Sequence, residues 1–337
     1  MVPSHAHALV TRAPADDAAG RPNGTGRIVM RALLAYDASA GSEEAASLVL
    51  ALPWSSGSSV RVIAVVEPSA AVVSAIPLTL GQSVTSPEIH SEIVEFLRSE
   101  VGRVVERLQA AGIEADGDVL RGRPATVLVD EANRFAADLV VAGSRGHGPI
   151  ASLVLGSVSA ELVDQAPCPV LVAKRPEAKR VIFASDGSAS ANHAEEVITR
   201  WPIFDGAAVR VVSVAEVVRP WHTGLAPTMY RQVVEAYAKD LDSAKTKHSA
   251  LARSAAERLR GAGRTADEKL REGDAAAEII EEASSWHADL IVLGSRGLTG
   301  LSRILLGSVA RNVLQGGASS VLVVRESATM SGSEPRQ

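Results

Sequence analysis

Two stretches of the chain repeat one spacing of glycine, arginine and serine. Each follows Gly-x-x-Gly-x9-Gly-Ser, with an arginine directly before the second glycine. Glycine lets a ligand approach the backbone closely, and a Gly-Ser pair that opens a helix presents free N–H groups and the positive end of the helix dipole. This chemistry suits an anion, and an extended phosphate chain best. The residues are Gly143, Arg145, Gly146, Gly156 and Ser157 in the first stretch, and Gly294, Arg296, Gly297, Gly307 and Ser308 in the second.

An aspartate follows the first buried apolar run of each half. Asp37 stands in Tyr-Asp-Ala-Ser, and Asp186 stands in Ser-Asp-Gly-Ser. Ligands of open α/β sheets bind beyond the carboxyl ends of the strands, where such a carboxylate can accept a hydrogen bond from a hydroxyl or an amine. The aspartate and the serine can also simply cap the helix that follows. Both interpretations stay open at this point.

The chain is a duplication of one domain. Arg61–Glu67 matches Arg210–Glu216, and each half ends in a short apolar strand after its glycine stretch. A period of about 150 residues corresponds to a whole domain and not to a solenoid repeat. The predicted organisation is a disordered tail over 1–26, one domain over 27–175, a second domain over 176–326, and a disordered tail over 327–337.

Apolar runs and helical stretches alternate within each half. Continuous apolar runs predict strands that are buried on both faces, and such strands belong to parallel sheets covered by helices. The alternation predicts right-handed crossovers and an open, doubly wound sheet in each half. The predicted strands include Ala32–Tyr36, Val60–Val66, Leu139–Ala142 and Val170–Ala173, and the predicted helices include Glu92–Ala110, Thr126–Phe135, Gln232–Arg260 and Ala275–Trp286.

Composition and charge exclude several classes of function. The net charge of -5 leaves no basic excess for a nucleic-acid backbone. No apolar run approaches the ~18 residues of a membrane span, and the N-terminus shows no secretory signal, so we expect a cytoplasmic protein without nucleic-acid or membrane partners. The single cysteine, Cys168, is predicted to be a small buried hydrophobe. The histidines lack metal-ligand spacing, so we expect no metal site.

The two halves resemble the universal stress protein family in its tandem two-domain form, and within it the ATP-binding subclass. The resemblance rests on the Asp-Gly-Ser after strand one, the Gly-x-x-Gly-x9-Gly-Ser pattern and the final Pro-Val-Leu-Val strand, and it runs from about Met30 to Glu326. It implies two Rossmann-like domains of the adenine nucleotide alpha hydrolase-like kind, each an open five-stranded parallel sheet with helices on both faces. It also implies an adenine nucleotide as partner, namely ATP, with or without Mg²⁺.

The resemblance further implies a role for each site residue. Asp37 and Asp186 would contact adenine or ribose, while Val65 and Val214 would offer backbone groups to adenine. The glycines and serines of the two stretches would hold ribose and phosphates, with Arg145 and Arg296 beside them. The implied set is completed by Ala35, Val158, Ser159, Ala184 and Val309.

Two differences between the halves bear on this site. Ala38 stands in the first turn where the second half has Gly187. Ser159 carries a hydroxyl that Ala310 lacks, and a hydroxyl that donates to an anion contributes about 1.5–3 kcal/mol. On that ground we expect tighter ATP binding in the first domain.

Function stays open between two main classes. One is an ATP-binding regulator in stress response or dormancy, without efficient catalysis. The other is a slow ATPase or another nucleotide-handling enzyme on the same fold; a binder of AMP or a cyclic nucleotide, and an interaction module without ligand, are further alternatives. Hydrolysis needs a positioned base, a metal ligand and charge at the γ-phosphate. The chain has no Gly-x4-Gly-Lys-Ser/Thr motif, so we expect at most slow hydrolysis and no catalytic residue.

The last strand of each half should lie at a sheet edge. These strands are Pro169–Lys174 and Ser319–Arg325, and exposed apolar edges invite pairing. The resemblance implies antiparallel pairing between the two domains, which gives an intrachain pseudo-dimer. Helical faces at Ala244–Arg260 and the segment Ala70–Leu80 could further join two chains into a homodimer.

Overall fold

The computed structural model describes residues 21–22, 28–67, 87–146, 155–216, 227–297 and 306–325. The predicted tail over 327–337 and the segment Ala70–Leu80 lie outside these residues. Most of the predicted tail over 1–26 does too. Strand β1 (Arg21–Pro22) pairs antiparallel with β2 (Ile28–Val29), and the predicted disorder of the tail stays a prediction.

The first domain alternates strands and helices as predicted. Its remaining strands are β3 (Arg31–Ala35), β4 (Ser59–Val66), β5 (Glu114–Arg121), β6 (Leu139–Gly143) and β7 (Val170–Ala173). Its helices are α1 (Ala40–Ala51), α2 (Pro87–Ala110), α3 (Pro124–Phe135) and α4 (Ser157–Gln165).

The second domain repeats this order. Its strands are β8 (Arg180–Ala184), β9 (Ala208–Ala215), β10 (Thr265–Glu272), β11 (Leu290–Gly294) and β12 (Ser320–Val324). Its helices are α5 (Ala189–Arg200), α6 (Pro227–Gly261), α7 (Ala275–Ser285) and α8 (Ser308–Gly316), and a 3-10 helix, Pro202–Phe204, lies between α5 and β9.

Ten strands form one sheet in the order β10-β9-β8-β11-β12-β7-β6-β3-β4-β5. Each domain contributes five parallel strands, as expected. The two halves join where β12 pairs antiparallel with β7, with Leu322 opposite Leu171. The predicted edge pairing between the domains is therefore confirmed, whereas pairing between whole chains stays a prediction.

Helices cover both faces of the sheet. Buried side chains of α1, α2, α5 and α6 form one apolar cluster with the strands. Those of α3, α4, α7 and α8 form the second cluster on the opposite face. The central strands are apolar at almost every position because both of their faces are buried, which is why their sequences predicted strands so clearly.

The outer strands β5 and β10 were missed among the sequence-predicted strands. Their sequences, Glu-Ala-Asp-Gly-Asp-Val-Leu-Arg and Thr-Ala-Asp-Glu-Lys-Leu-Arg-Glu, are polar because these strands lie at the two ends of the sheet and are largely exposed. An edge strand needs no continuous apolar run, and its charges discourage pairing with another chain. Helices α2 and α6 also begin five residues earlier than predicted, at Pro87 and Pro227.

Cys168 lies at the start of β7 and is buried, as predicted. Burial raises the pKa of its thiol to about 12, and the nearby Asp138 adds to this. The thiolate, which is the reactive form, is therefore scarce at neutral pH. Cys168 acts as a packing residue.

The basic residue directly after the last strand of each domain reaches the last helix of the other domain. Lys174 Nζ donates to the carbonyl oxygens of Leu314 and Gly317, both at 2.7 Å, at the end of α8. Arg325 Nη1 donates to the Ala166 carbonyl at 3.2 Å, at the end of α4. A cation at a helix C-terminus satisfies carbonyls and favours the negative end of the dipole. These reciprocal contacts fasten the two domains beside the β12–β7 pairing.

Lys174 should make the stability of the protein depend on pH above 8. Burial, with a smaller contribution from Arg145, lowers the pKa of Lys174 from 10.5 to about 8. Between these values the unfolded chain still holds a proton that the folded chain has released, so the free energy of unfolding rises with pH across this window. We expect urea midpoints to show this rise in the native chain and to lose it in Lys174→Met. The exposed Lys269 provides the control, and equal slopes for Lys174→Met and Lys269→Met would contradict the assignment.

Candidate functional site

The turn after the first strand of each domain is built by an aspartate and a serine. Asp37 Oδ1 accepts from the Ser39 N–H at 3.0 Å, and Asp186 Oδ1 accepts from the Ser188 N–H at 2.9 Å. The two serine side chains then cap α1 and α5. The capping interpretation is thus correct for the serines, whereas the carboxylates hold the turn with one oxygen each.

The second carboxylate oxygen of each aspartate faces the glycine stretch. A Cβ atom at position 146 would lie 2.6 Å from Asp37 Oδ2, and one at position 297 would lie 2.9 Å from Asp186 Oδ2. Both separations are shorter than van der Waals contact, so these positions must be glycine for the aspartate to keep its place. The turn and the glycine stretch, distant in sequence, therefore meet at one point in both domains.

The first glycine of each stretch has a packing role. A Cβ atom on Gly143 would lie 2.4 Å from the carbonyl group of Gly41 in α1. On Gly294 it would lie 2.4 Å from Ser190 Oγ in α5. We predicted ligand contact for the whole glycine set. For Gly143 and Gly294 the structure gives a packing reason for the glycine, namely the close approach of a helix N-terminus, and their contact with a ligand stays a prediction.

A serine of the first turn holds the backbone carbonyl of the arginine in each glycine stretch. Ser39 Oγ donates to the Arg145 carbonyl at 3.2 Å, and Ser188 Oγ donates to the Arg296 carbonyl at 3.3 Å. In the second domain Ser190, which replaces Gly41, donates to the same carbonyl. These bonds fix the backbone on which the two arginines stand.

The final glycine of each stretch begins a helix. Gly156 and Gly307 are the N-caps of α4 and α8, both in extended conformation and neither with a side-chain cap. Their own N–H groups donate at 2.8 Å to the carbonyls of Ser144 and Ser295. The two ends of each stretch are therefore tied together, and the first residues of the two helices, Ser157 and Ser308, are exposed. Such an uncapped N-terminus favours an anion.

The second strand of each domain presents its backbone to the same region. The Tyr36 N–H donates to the Ile63 carbonyl, so the backbone groups of Ile63 point toward β3. Backbone groups two residues apart in a strand point to the same side, so the N–H and C=O of Val65 point that way too. The pairing of β3 ends at Ala35, opposite Ile63. The Val65 backbone therefore faces the space beyond β3.

The second domain repeats this arrangement. Ser185 N–H donates to the Val212 carbonyl, and β8 ends at Ala184. The same alternation turns the backbone of Val214 toward the space beyond β8. Both domains thus offer one donor and one acceptor next to the aspartate turn.

Comparisons with known protein families, sequences and solved structures identify the family and the fold of this chain. Residues 29–174 and 177–325 each match the Universal stress protein family. The chain belongs to this family. A universal stress protein of Mycobacterium tuberculosis strain H37Rv is 30% identical over 256 residues, which cover 69% of this chain and 76% of that protein.

Other universal stress protein relatives match over different lengths. The stress response protein NhaX of Bacillus subtilis is 36% identical over 104 residues, which are 30% of this chain and 61% of NhaX, so the match spans less than two thirds of that relative. A solved universal stress protein from Archaeoglobus fulgidus covers 88% of this chain and 98% of its own at a TM-score of 0.59 and 19% identity. This last likeness shows a shared fold.

Ser159 does not fit the phosphate role that was predicted for it in this universal stress protein. Its side chain is buried, and its hydroxyl donates to the Gly143 carbonyl at 2.6 Å. Because a hydroxyl has one proton to give, that donor is already used inside the protein. The difference in ATP affinity that was expected between the two sites from Ser159 and Ala310 loses its physical basis.

Val158 and Val309 pack partly against the core, so only their backbone N–H groups can serve a ligand.

The sequence reasoning missed a polar pair beside the second site. Ser213 on β9 donates to the Ser185 carbonyl at 2.7 Å and lies 2.9 Å from Nδ1 of His248 on α6. Burial and Lys247 lower the pKa of His248, while Asp186 opposes this shift. The first domain has Ala64 in the place of Ser213. An alignment of β4 with β9 would have revealed this difference.

The first turn of this universal stress protein also stores strain in one domain. Ala38 has φ of 60° and Gly187 has φ of 77°, a region that costs a residue with Cβ roughly 1–2 kcal/mol. We expect Ala38→Gly to stabilise the protein by less than about 1 kcal/mol, because the added flexibility of the unfolded chain offsets part of the gain. The reverse change, Gly187→Ala, should cost about 1–2 kcal/mol, since its Cβ also meets Leu251 at 3.0 Å. Urea denaturation measures both, and a neutral Gly187→Ala would contradict the argument.

In the part of the chain that the structure describes, no helix combines the length and the apolarity of a membrane span.

Proposed function

We propose that this universal stress protein binds ATP in both domains and acts as a nucleotide-dependent regulator in stress response or dormancy, without efficient catalysis. One observation carries the proposal. In each domain a carboxylate oxygen, a glycine that leaves no room for a side chain, and an uncapped helix N-terminus converge beyond the carboxyl ends of the strands.

The chemistry of these groups matches the parts of an adenine nucleotide. A carboxylate accepts from ribose hydroxyls or an amine, and the backbone groups of Val65 and Val214 suit the hydrogen-bonding edge of a base. The N–H groups at the starts of α4 and α8 suit phosphates. Arg145 adds a positive charge at the same place in the first domain, and Arg296 does so in the second. These residues therefore fit ATP; with Mg²⁺ bound to its phosphates, the nucleotide would bring part of the metal's ligands itself.

The same groups give little support for efficient hydrolysis. Asp37 and Asp186 each use one oxygen to hold the turn. A base that positions water needs to be aligned with the γ-phosphate. Neither glycine stretch contains an aspartate or a glutamate that could serve as such a base. A regulator that senses the nucleotide is the function that this arrangement favours.

Four measurements test the proposal. Mass spectrometry of ligand released from purified, undialysed protein should identify an adenine nucleotide, and calorimetry should give two ATP sites per chain. Parallel titrations with ADP, AMP and cyclic AMP decide which nucleotide binds most tightly, and a phosphate-release assay measures turnover. The absence of heat and of a thermal shift at millimolar ATP would refute ATP binding. Turnover of several per second would refute the non-catalytic role.

A further inference from the structure

A surface cavity of about 380 Å³ lies in the first domain at the end of the sheet opposite the candidate nucleotide site. It is bounded by the end of α1, the segment before β4 and the turn between α2 and β5. Its lining includes Leu50, Leu52, Trp54, Ser55, Ser56 and Glu114. The cavity is large enough for a small molecule.

The second domain has two buried aromatic side chains at the equivalent place. Helices α1 and α5 both have twelve residues, and seven residues separate each from an eight-residue strand. This equal spacing aligns Leu52 with Trp201 and Ser55 with Phe204. Both aromatic residues are fully buried. The first domain thus has smaller side chains where the second has two buried rings.

The decisive difference is an arginine. Arg264, the residue before β10, donates through Nη2 to the carbonyls of Thr199 at 3.0 Å and Trp201 at 2.9 Å. Its Nη1 donates to Asp205. The guanidinium therefore satisfies the carboxyl end of α5, where carbonyls lack helical partners and the dipole is negative.

The first domain keeps the acceptors but lacks the cation. Leu50 and Leu52 occupy the places of Thr199 and Trp201 at the end of the helix, and both line the cavity. The residue before β5 is Ile113, whose side chain has no hydrogen to donate. The cavity therefore leaves the end of α1 without the guanidinium that the end of α5 receives.

A buried hydroxyl in the cavity wall supports the same conclusion. Ser55 is 5% exposed, and its Oγ has no hydrogen-bond partner among the described residues. A buried polar atom without a partner is costly, and it calls for a ligand or an ordered water. The Trp54 indole N–H is already used, since it donates to the Val49 carbonyl at 2.8 Å. Its ring remains a wall on which a planar cation can stack.

We propose that this cavity binds a small guanidinium-bearing molecule. The guanidinium takes the place of the Arg264 side chain, donates to the carbonyls at the end of α1 beside Ser55, and lies near the carboxylate of Glu114 at the rim. A neutral molecule of the same shape lacks the charge that favours the helix C-terminus. The second domain cannot bind this ligand because Arg264 already occupies the equivalent place.

Ethylguanidinium and the neutral ethylurea are the probes for this site. Binding at millimolar concentration is followed by amide chemical shifts of the full-length protein. We expect shifts at Leu52, Ser55 and Glu114 with ethylguanidinium, and affinity for ethylurea weaker by about tenfold or more, as for loss of a charge-assisted hydrogen bond. Equal binding of the two probes, or shifts spread over the surface, would overturn the proposal.

Variants that exchange the two domains' residues sharpen the test. The double variant Ser56→Asp/Ile113→Arg recreates the Asp205–Arg264 pair, so it should lose probe binding. Ser56→Asp alone is the matched control, which leaves the cavity open and should bind ethylguanidinium more tightly. Retained binding in the double variant would contradict the assignment. Nucleotide titrations should be the same in all three proteins, so this result is independent of the proposed function.

Arg264→Ala provides the reciprocal experiment in case the double variant fails to fold. Removal of the guanidinium should lower the thermal midpoint and open a second cavity at the end of α5. Ethylguanidinium should restore part of the lost midpoint, and ethylurea should not. Failure of this rescue would overturn the equivalence of the two places on which the proposal rests.

Discussion

Replacement of Gly146 by alanine should weaken nucleotide binding in the first domain by roughly 10- to 150-fold in Kd and leave the second domain's site intact. A Cβ atom there would lie 2.6 Å from Asp37 Oδ2, so the carboxylate must move away from the site. The loss of a hydrogen bond to a charged group costs about 1.5–3 kcal/mol, which sets this range. Calorimetry at a protein concentration near the native Kd should therefore detect one ATP site per chain instead of two.

Gly297→Ala should weaken the other site by the same contact with Asp186, at 2.9 Å. Gly146→Glu and Gly297→Glu should have larger effects, since each adds a negative charge where phosphates would lie. Gly102→Ala is the control, because a Cβ at that position meets nothing within 4 Å. If both sites still titrate with the native Kd in the Gly146→Ala/Gly297→Ala double variant, the placement of the nucleotide is wrong.

Replacement of Arg210 by methionine should strongly destabilise the protein. Its guanidinium pairs with Asp267 at 2.6 Å and with Glu282 at 3.0 Å, and it lies over the ring of Trp286. Glu282 is only 3% exposed. Removal of one partner from a buried ion pair costs roughly 3–5 kcal/mol because it leaves an uncompensated charge. The weaker contact of Glu282 with Arg271, at 3.4 Å, keeps the cost toward the lower end.

The double variant Arg210→Met/Glu282→Leu distinguishes a buried charge from lost packing. If the cost comes from the stranded carboxylate, the double variant should recover most of the stability in urea denaturation. Arg98→Met is the surface control, since its partner Glu95 is well exposed and such pairs contribute little. A double variant no more stable than Arg210→Met would show that the arginine stem and its ring contact carry the effect.

The two domains share this ion pair, which shows how duplication preserves structural groups. Arg61 pairs with Asp116 and with the buried Glu131, both at 2.8 Å, as Arg210 does with Asp267 and Glu282. Such a pair could not be distinguished from surface charge in the sequence, because its members lie on three elements. Only the packing of α3 and α7 against the sheet buries the two glutamates.

Some residues of the candidate site could be found from the sequence, whereas the roles of others depend on contacts between distant elements. The glycine stretches and both aspartates could be found because their spacing repeats within one chain. Gly143 shows the limit of this approach, because the sequence does not distinguish a glycine needed for helix packing from one needed for a ligand. Ser159 shows a second limit. Its hydroxyl donates to the Gly143 carbonyl, which lies on a strand sixteen residues earlier in the chain.

The sequence by itself determined that the domain is duplicated, that its buried strands form parallel sheets, and where the glycine stretches lie. These depend on local periodicity and on repeated spacing, which are visible without contacts. Only the tertiary structure decided which carboxylate oxygen meets which glycine, which hydroxyls are already used, and that Arg264 fills a place that Ile113 leaves open. Each of these depends on atoms from elements far apart in the chain. Their relative positions are set by packing against the sheet and are not encoded in any one segment.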